Sequence, residues 1–414
     1  MSRGCPGFGS GQKVDSLITF ILMVILFFTP LAGGTEKGVS VWVVHILVLI
    51  LLLLWIFDTI RRKRVCLIRT PLDYPILFFV LLSILSALFS VSPGESFLIL
   101  LNFFDYIVLY YLVVNKVRMR DRKQISLIIN TVIAAGSAVA LFGILKYLGS
   151  SANILGFTYY NPNPLGSYLA MVIPVTLAMM MLTPDLGKKI LIGYGICMMV
   201  IAFILTLSRG GWISLLCALC VMTYLYYKKF RSFSGKALVP ASFIIGIALL
   251  AIMVLGYTNV KREIVAINKG RIESVSGRVP IWKGTFDIIR TYPLLGAGPG
   301  TFPLLFEDYI RKYVGDLRDK YAHSEYLQTV AEWGVFSLLI IFWIQTLFFS
   351  AVLKTYDQAY TRFSQYLRLG IIGSMTAISI HSLAEFALHP MANAILCVVL
   401  GALAINHHQY ERNG

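Results

Sequence analysis

The chain has 414 residues, of which 57% are hydrophobic and only 14% charged, and its mean hydropathy is +0.76. Soluble domains carry about a quarter charged residues, so this composition excludes an ordinary soluble domain and indicates a polytopic membrane protein. The formal net charge of +16 would suit nucleic acid, but the Lys and Arg residues sit in alternate loops between apolar runs, which argues against that partner.

In chain order, twelve apolar runs read as spans, near residues 16–32, 39–57, 75–91, 96–114, 124–148, 165–182, 188–207, 211–227, 237–257, 334–353, 366–386 and 391–406. The expected fold is therefore all-α and polytopic, with about twelve transmembrane helices. The first run follows a short polar tail with no small-residue cleavage site after it, and reads as a retained helix rather than a signal peptide. Basic clusters follow in alternate loops: RRKR at 61–64, NKVRMRDRK at 115–123, KK at 188–189 and YKKFRSFSGK at 227–236. The intervening loops GGTEKG, SPGE and GSSANILGFTYYNPNP are nearly neutral. Short cytoplasmic loops accumulate Lys and Arg, which predicts both termini on the cytoplasmic side. Of the six cysteines, none falls in a predicted outer loop, so no disulfide framework is implied. The Cys217–Cys220 pair lies inside an apolar run and reads as packing.

One connection is long. Residues 1–257 carry spans one to nine, 258–333 form a large outer segment, and 334–414 carry spans ten to twelve with a cytoplasmic tail. A connection of that length is functional or disordered, and its aromatic residues and helical periodicity favour function. Trp282, Phe286 and Ile289 recur at i, i+4 and i+7, as in an amphipathic helix lying on the membrane or on the bundle. TYPLLGAGPGTF is turn chemistry. The GAGPG at 296–300 reads as a plain turn, with a phosphate-cradling nest as the other reading. His323, Leu327, Val330 and Gly334 share one face of a further helix, with Glu325, Gln328 and Glu332 on another.

The outer face collects a chemical set. Arg209, in LSRGGW, lies between two apolar runs with hardly any loop, at the outer boundary. An arginine there can simply snorkel, or bind an anion near the headgroups. Arg278, in SGRVPIW, opens the amphipathic helix, where free N–H groups also favour an anion. Asn161 and Asn163, in YYNPNPLG, suit turn hydrogen bonds, and amides facing the same cavity can bind sugar hydroxyls. Glu385, with His381 and His389, lies near the outer end of the eleventh run, and ionisable groups in spans are functional candidates. Two guanidiniums match phosphate oxygens in pairs, and His323 can take a proton near neutral pH. The set suits a lipid diphosphate leaving group and a hydroxyl nucleophile, with no metal required. Asp316, Asp319, His323 and Glu325 match no standard metal motif, and the chain contains no Asp-x-Asp.

These residues resemble the O-antigen ligase and polymerase superfamily of bacterial membrane glycosyltransferases. HSEYLQTVAEWG is similar to a His-Asn/Ser/Gln, nine-residue, Gly-x-x-Gly signature, with Ser337 standing at its last glycine. SRGGW resembles a span-terminal Ser-Arg-Gly motif, SGRVPIWKGTFDIIRTYPLLGAGPGTF a Gly-Arg segment with its glycine-rich turn, and NPNPLG a shared asparagine motif. The resemblance covers residues 155–340. It implies that Arg209 and Arg278 bind undecaprenyl diphosphate and that His323 is the base. It also implies metal-independent, inverting glycan transfer at the periplasmic face of the bacterial inner membrane, without a cofactor. The expected partners are the undecaprenyl-diphosphate-linked glycan donor, a lipid A–core acceptor and membrane lipid. A polymerase or a protein O-oligosaccharyltransferase of the same superfamily is the near alternative. A lipid-linked glycan flippase is the alternative of another class, and it calls for internal repeats and charged span linings, neither of which is evident.

Overall fold

The structure, a computed structural model, describes residues 12–35, 38–63, 67–117, 121–149, 159, 161–230, 278–314, 321–359 and 361–406. All regular structure among them is helical. The membrane-type helices are α1 (Gln12–Leu31), α2 (Val39–Arg62), α3 (Asp73–Leu88), α4 (Pro93–Lys116), α5 (Arg122–Leu148), α6 (Pro162–Leu182), α7 (Leu186–Leu205) and α8 (Arg209–Phe230). Four shorter ones follow: α9 (Arg278–Thr291), α10 (Phe302–Tyr309), α11 (Arg311–Val314) and α12 (Glu325–Trp333). The chain then returns through α13 (Val335–Asp357), α14 (Arg362–His381) and α15 (Met391–Asn406).

The starts are set by short polar caps that accept otherwise orphaned N–H groups. Asp121 accepts from the Gln124 N–H, Asp185 from Lys188, Asn161 from Asn163 and Thr361 from Ser364. Eight helices among the described residues are long and apolar enough to cross a membrane, namely α1, α2, α4 to α8 and α13. Twelve spans were expected. The run at 237–257 lies outside the described residues. Helices α3 and α15 are apolar but only 16 residues each, below the ~20 a straight crossing needs. Helix α14 has 20 residues but carries Arg362, Arg368 and His381, and is not among the eight.

The bundle is organised around α6, which is buried on nearly every side, and α14, which lies against α6 and α8. Small residues permit this approach, as they do between membrane helices generally. A Cβ on Gly370 would stand 2.8 Å from the Val175 Cα, and one on Gly373 would stand 2.5 Å from the Met222 sulfur. The Ser374 hydroxyl donates to the Met171 carbonyl across the same seam.

The two ends of the bundle differ in chemistry. At one end Asp58, fully buried, pairs with Arg62 and Lys116, and Arg122 lies over the Phe363 ring. Arg62, Lys116 and Arg122, from the first two basic clusters of the sequence, meet here. At the other end sits a cap built from α9 to α12, with a small core of its own that includes Ile281, Ile288, Phe302, Phe306 and Ile310. The cap is tied to the bundle by Ser86, which donates to the Glu332 carbonyl at 3.0 Å, and by Ser96, which donates to the Pro299 carbonyl at 2.9 Å.

Two details of the cap differ from the sequence reading. Helix α9 forms as expected, but it buries Ile281, Gly284, Thr285 and Ile288. The Trp282–Phe286–Ile289 face lies one residue round and leaves Phe286 48% exposed. His323 is not on a helix: it precedes the cap residue Ser324 and has φ +48°. The buried face of α12 then holds Gln328 and Glu332, so the polar face turns inward.

Below the cap, residues of α3, α4, α12, α13, α14 and α15 line a half-open cavity of about 390 Å³. Protein interiors are close-packed.

Candidate functional site

Residues from four parts of the chain meet on one carboxylate at the cap end. Glu385 lies in the connection between α14 and α15 and is 1% exposed. Its Oε1 accepts from the His323 ring Nδ1 at 2.9 Å. Its Oε2 accepts from the Arg278 guanidinium at 3.0 Å and from the Asn163 amide at 2.6 Å. Burial alone would push the Glu385 carboxyl up, but the His323 hydrogen bond and charge, aided by Arg278, hold it below the usual carboxylate range. Glu385 is thus an anion at neutral pH.

The carboxylate is covered, while the side chains it holds are partly open. The Arg278 side chain is 35% exposed and that of His323 16%. With Nδ1 directed at a carboxylate, the His323 proton sits on Nδ1 and Nε2 is left as the basic nitrogen. The ring also packs edge-on against Phe386, centroids 5.3 Å apart. Its left-handed backbone is uncommon for a residue with a side chain. The turn is held because the Glu325 N–H, two residues on, donates to both the Ser382 and the Glu385 carbonyls, at 2.9 and 3.1 Å. The segment bearing the histidine is therefore bonded directly to the segment bearing its partner.

A second histidine fixes the arginine motif. His381 is 1% exposed; its Nδ1 bonds the Ser167 hydroxyl at 2.9 Å and its Nε2 the Ser208 hydroxyl at 3.2 Å. Ser208 caps α8, accepting from the Gly211 N–H. A Cβ on Gly210 would come within 3.2 Å of the His381 ring, and one on Gly211 within 3.3 Å. The two glycines of SRGG thus let an imidazole lie against the helix start that bears Arg209. The Arg209 side chain is exposed. The Ser167 hydroxyl also donates to the Asn163 carbonyl, and the Asn163 amide reaches Glu385. The Arg209 turn and the Glu385 cluster are in this way joined through His381, Ser167 and Asn163.

Of the residues singled out in the sequence, His323, Arg278, Asn163 and Glu385 come together. Arg209 stands on the turn linked to them. Asn161 spends its side-chain oxygen capping α6, the turn role foreseen for it. His389 lies apart, with its ring edge-on to Tyr321. Asp316 and Asp319 lie outside the described residues. Glu325 and His323 face different partners, since the Glu325 Oε2 accepts from the Leu388 N–H at 3.1 Å. Burial pushes the Glu325 carboxyl up to about 7, against that backbone bond.

GAGPG is a turn in which the Ala297, Gly298 and Gly300 donors are already taken. Ala297 and Gly298 donate to the Ala331 and Glu332 carbonyls. Gly300 and Phe302 donate to the Glu332 carboxylate at 2.9 and 3.2 Å. The phosphate nest is thereby excluded, because a carboxylate of the same chain fills it. The signature glycine Gly334, at φ +79°, passes so close to Leu294 that a Cβ would meet its carbonyl oxygen at 1.9 Å. Ser337 replaces the last glycine without loss of packing, since its hydroxyl donates to the Gly334 carbonyl at 2.6 Å.

Sequence reasoning missed Asn393, which is fully buried. Its amide donates to the Pro164 and Ala387 carbonyls at 2.9 and 2.7 Å, holding the Glu385 loop against the start of α6. No local pattern around NAIL announces that role.

Residues 194–342 match the family model described as O-Antigen ligase. No curated protein matches the chain. The matched stretch contains Arg209, Arg278, His323 and Gly334, whereas Asn163 and Glu385 lie on either side of it.

Proposed function

We propose that this membrane protein, whose residues 194–342 match the O-antigen ligase family model, transfers a glycan from undecaprenyl diphosphate to a sugar hydroxyl of lipid A–core. The observation that carries this reading is the Glu385 carboxylate shared by His323 and Arg278. One buried anion orients a base and a phosphate-matching cation, and leaves the outer edge of each exposed.

In the proposed reaction the acceptor hydroxyl attacks the anomeric carbon from the side opposite the diphosphate. A new C–O bond forms as the bond to the diphosphate oxygen breaks, and the configuration inverts. His323 Nε2 takes the hydroxyl proton. Glu385 keeps the Nδ1–H tautomer and stabilises the imidazolium that results. Charge growing on the departing diphosphate is met by Arg209 and Arg278, whose planar forks suit its oxygens. Two arginines do this without a metal.

The end bearing the Asp58–Arg62–Lys116 cluster is the cytoplasmic one on the positive-inside rule. The cap and its site then face the periplasm of a bacterial inner membrane. Lipopolysaccharide electrophoresis of a deletion strain tests the reading. Loss of the ladder with accumulation of long lipid-linked polymer is expected. Single repeats left on the core would instead indicate a polymerase, and an unchanged ladder would overturn both.

A further inference from the structure

The cavity beneath the site has apolar walls and a polar end. Phe79, Phe103, Ile344 and Phe348 line its length, while Glu325 and Ser382 stand at the end next to the Glu385 loop. Ser382 is 3% exposed and its hydroxyl has no hydrogen-bond partner. A buried hydroxyl in that state is costly unless something completes it. Such walls do not hold water well, so the space calls for hydrocarbon with one hydrogen-bonding group at its polar end.

The extent narrows the choice. The lining reaches Tyr110 on α4 and Leu72 before α3, towards the basic end. On α4 the lining runs from Phe103 to Tyr110, about 10 Å at 1.5 Å per residue, roughly a third of the ~30 Å hydrocarbon thickness of a bilayer. That suits the part of one extended chain nearest its headgroup. A polyprenyl chain offers no acceptor atom beyond its phosphates, so it would leave the Ser382 hydroxyl unsatisfied. An acyl chain brings an ester or amide carbonyl at its head, where Ser382 and a protonated Glu325 can donate to it.

We infer that this cavity holds an acyl chain of a membrane lipid, with its ester or amide carbonyl at Ser382 and Glu325. That this lipid is the acylated acceptor, lying under the base, rests on the transfer reading above; occupancy of the cavity does not.

The test uses the full chain in phosphatidylethanolamine nanodiscs doped with phosphatidylethanolamine bearing a diazirine on its acyl chain. A parallel sample carries a diazirine-bearing polyprenyl phosphate. After irradiation, cross-linked peptides are mapped by mass spectrometry. The acyl probe should label the cavity walls around 341–349 and 394–401, as well as the lipid-facing surface of α2. Gly401→Leu, where a Cβ meets only Phe348 at 3.7 Å, and Ala394→Phe should abolish the cavity labels and spare those on α2. Ser382→Ala should lower cavity labelling roughly fivefold, the worth of one hydrogen bond. The inference is overturned if the polyprenyl probe alone labels the cavity, or if neither does, or if both filling variants leave the labels unchanged. Labelling needs no turnover, so failure here is distinct from failure of the transfer reaction.

Discussion

Replacing Glu385 by glutamine tests the link between structure and chemistry at one atom. The glutamine keeps the size of the side chain. Its carbonyl oxygen can still accept from Arg278 and Asn163, which now share Oε2 at 3.0 and 2.6 Å. Its –NH₂ then faces the His323 Nδ1, 2.9 Å from the present Oε1. A donor facing Nδ1 forces the ring proton onto Nε2, the nitrogen needed as base. The ring stays in place but carries the wrong tautomer. General-base catalysis is worth about 10²–10⁴-fold, and a wrong tautomer in a serine protease triad costs about 10⁴. Turnover should therefore fall by about 10²–10⁴, or roughly 3–5 kcal/mol of barrier. Donor affinity should change by only a few fold, because the arginine keeps an acceptor. Single-turnover transfer and donor binding should be measured separately, on protein matched for folded yield in nanodiscs. Wild-type turnover in Glu385→Gln would refute the tautomer argument. Loss confined to donor binding would make Glu385 a support for Arg278 alone.

Four further outcomes follow from the same geometry. Arg209→Lys and Arg278→Lys keep the charge but lose the planar fork, and should weaken donor binding, transfer or both in the same nanodisc assays. His381→Phe keeps a ring against Gly210 and Gly211 but removes both serine bonds. It should lower turnover at unchanged folded yield, whereas His381→Gln, which can bond both hydroxyls, should restore much of it; equal rates in the two would make the ring mere packing. Burial raises the Glu332 carboxyl to about 7, although the Gly300 and Phe302 N–H groups and Gln328 pull it down. A carboxyl raised on folding contributes stability that is fully present below its ordinary value and lost as pH rises through about 7, so Tm should fall across that range and Glu332→Gln should flatten the fall. Transfer by purified protein should persist in excess chelator, and loss of activity restored by magnesium or manganese would revive a carboxylate metal site.

Much of the frame was legible because its causes are local. Basic clusters and apolar runs are properties of short windows, and they located every long helix among the described residues. Arg209, Arg278 and His323 stood out because a charge beside a span has few inert explanations. The misreadings also have local causes. Helix α9 buries the face one residue round from Trp282, Phe286 and Ile289, and Trp282 stands at the edge, its indole N–H bonded to the Ala322 carbonyl. His323 was placed on α12 because periodicity cannot see a cap, and Ser324, accepting from the Leu327 N–H, starts the helix one residue after it.

The carboxylate at the centre of the site was the least legible part, for a physical reason. Its position depends on contacts between segments far apart in the chain: Glu385 meets Asn163, 222 residues away, and Arg278, 107 away. None of these pairs leaves a spacing to read. Their meeting depends on α14 lying close against α6, which Gly370 and Gly373 allow, and on Asn393 pinning the loop that follows. Histidine and arginine announce themselves by what they can do to a substrate. A buried glutamate that orients them acts only through its neighbours, and its role appears once the helices that bring those neighbours together are packed.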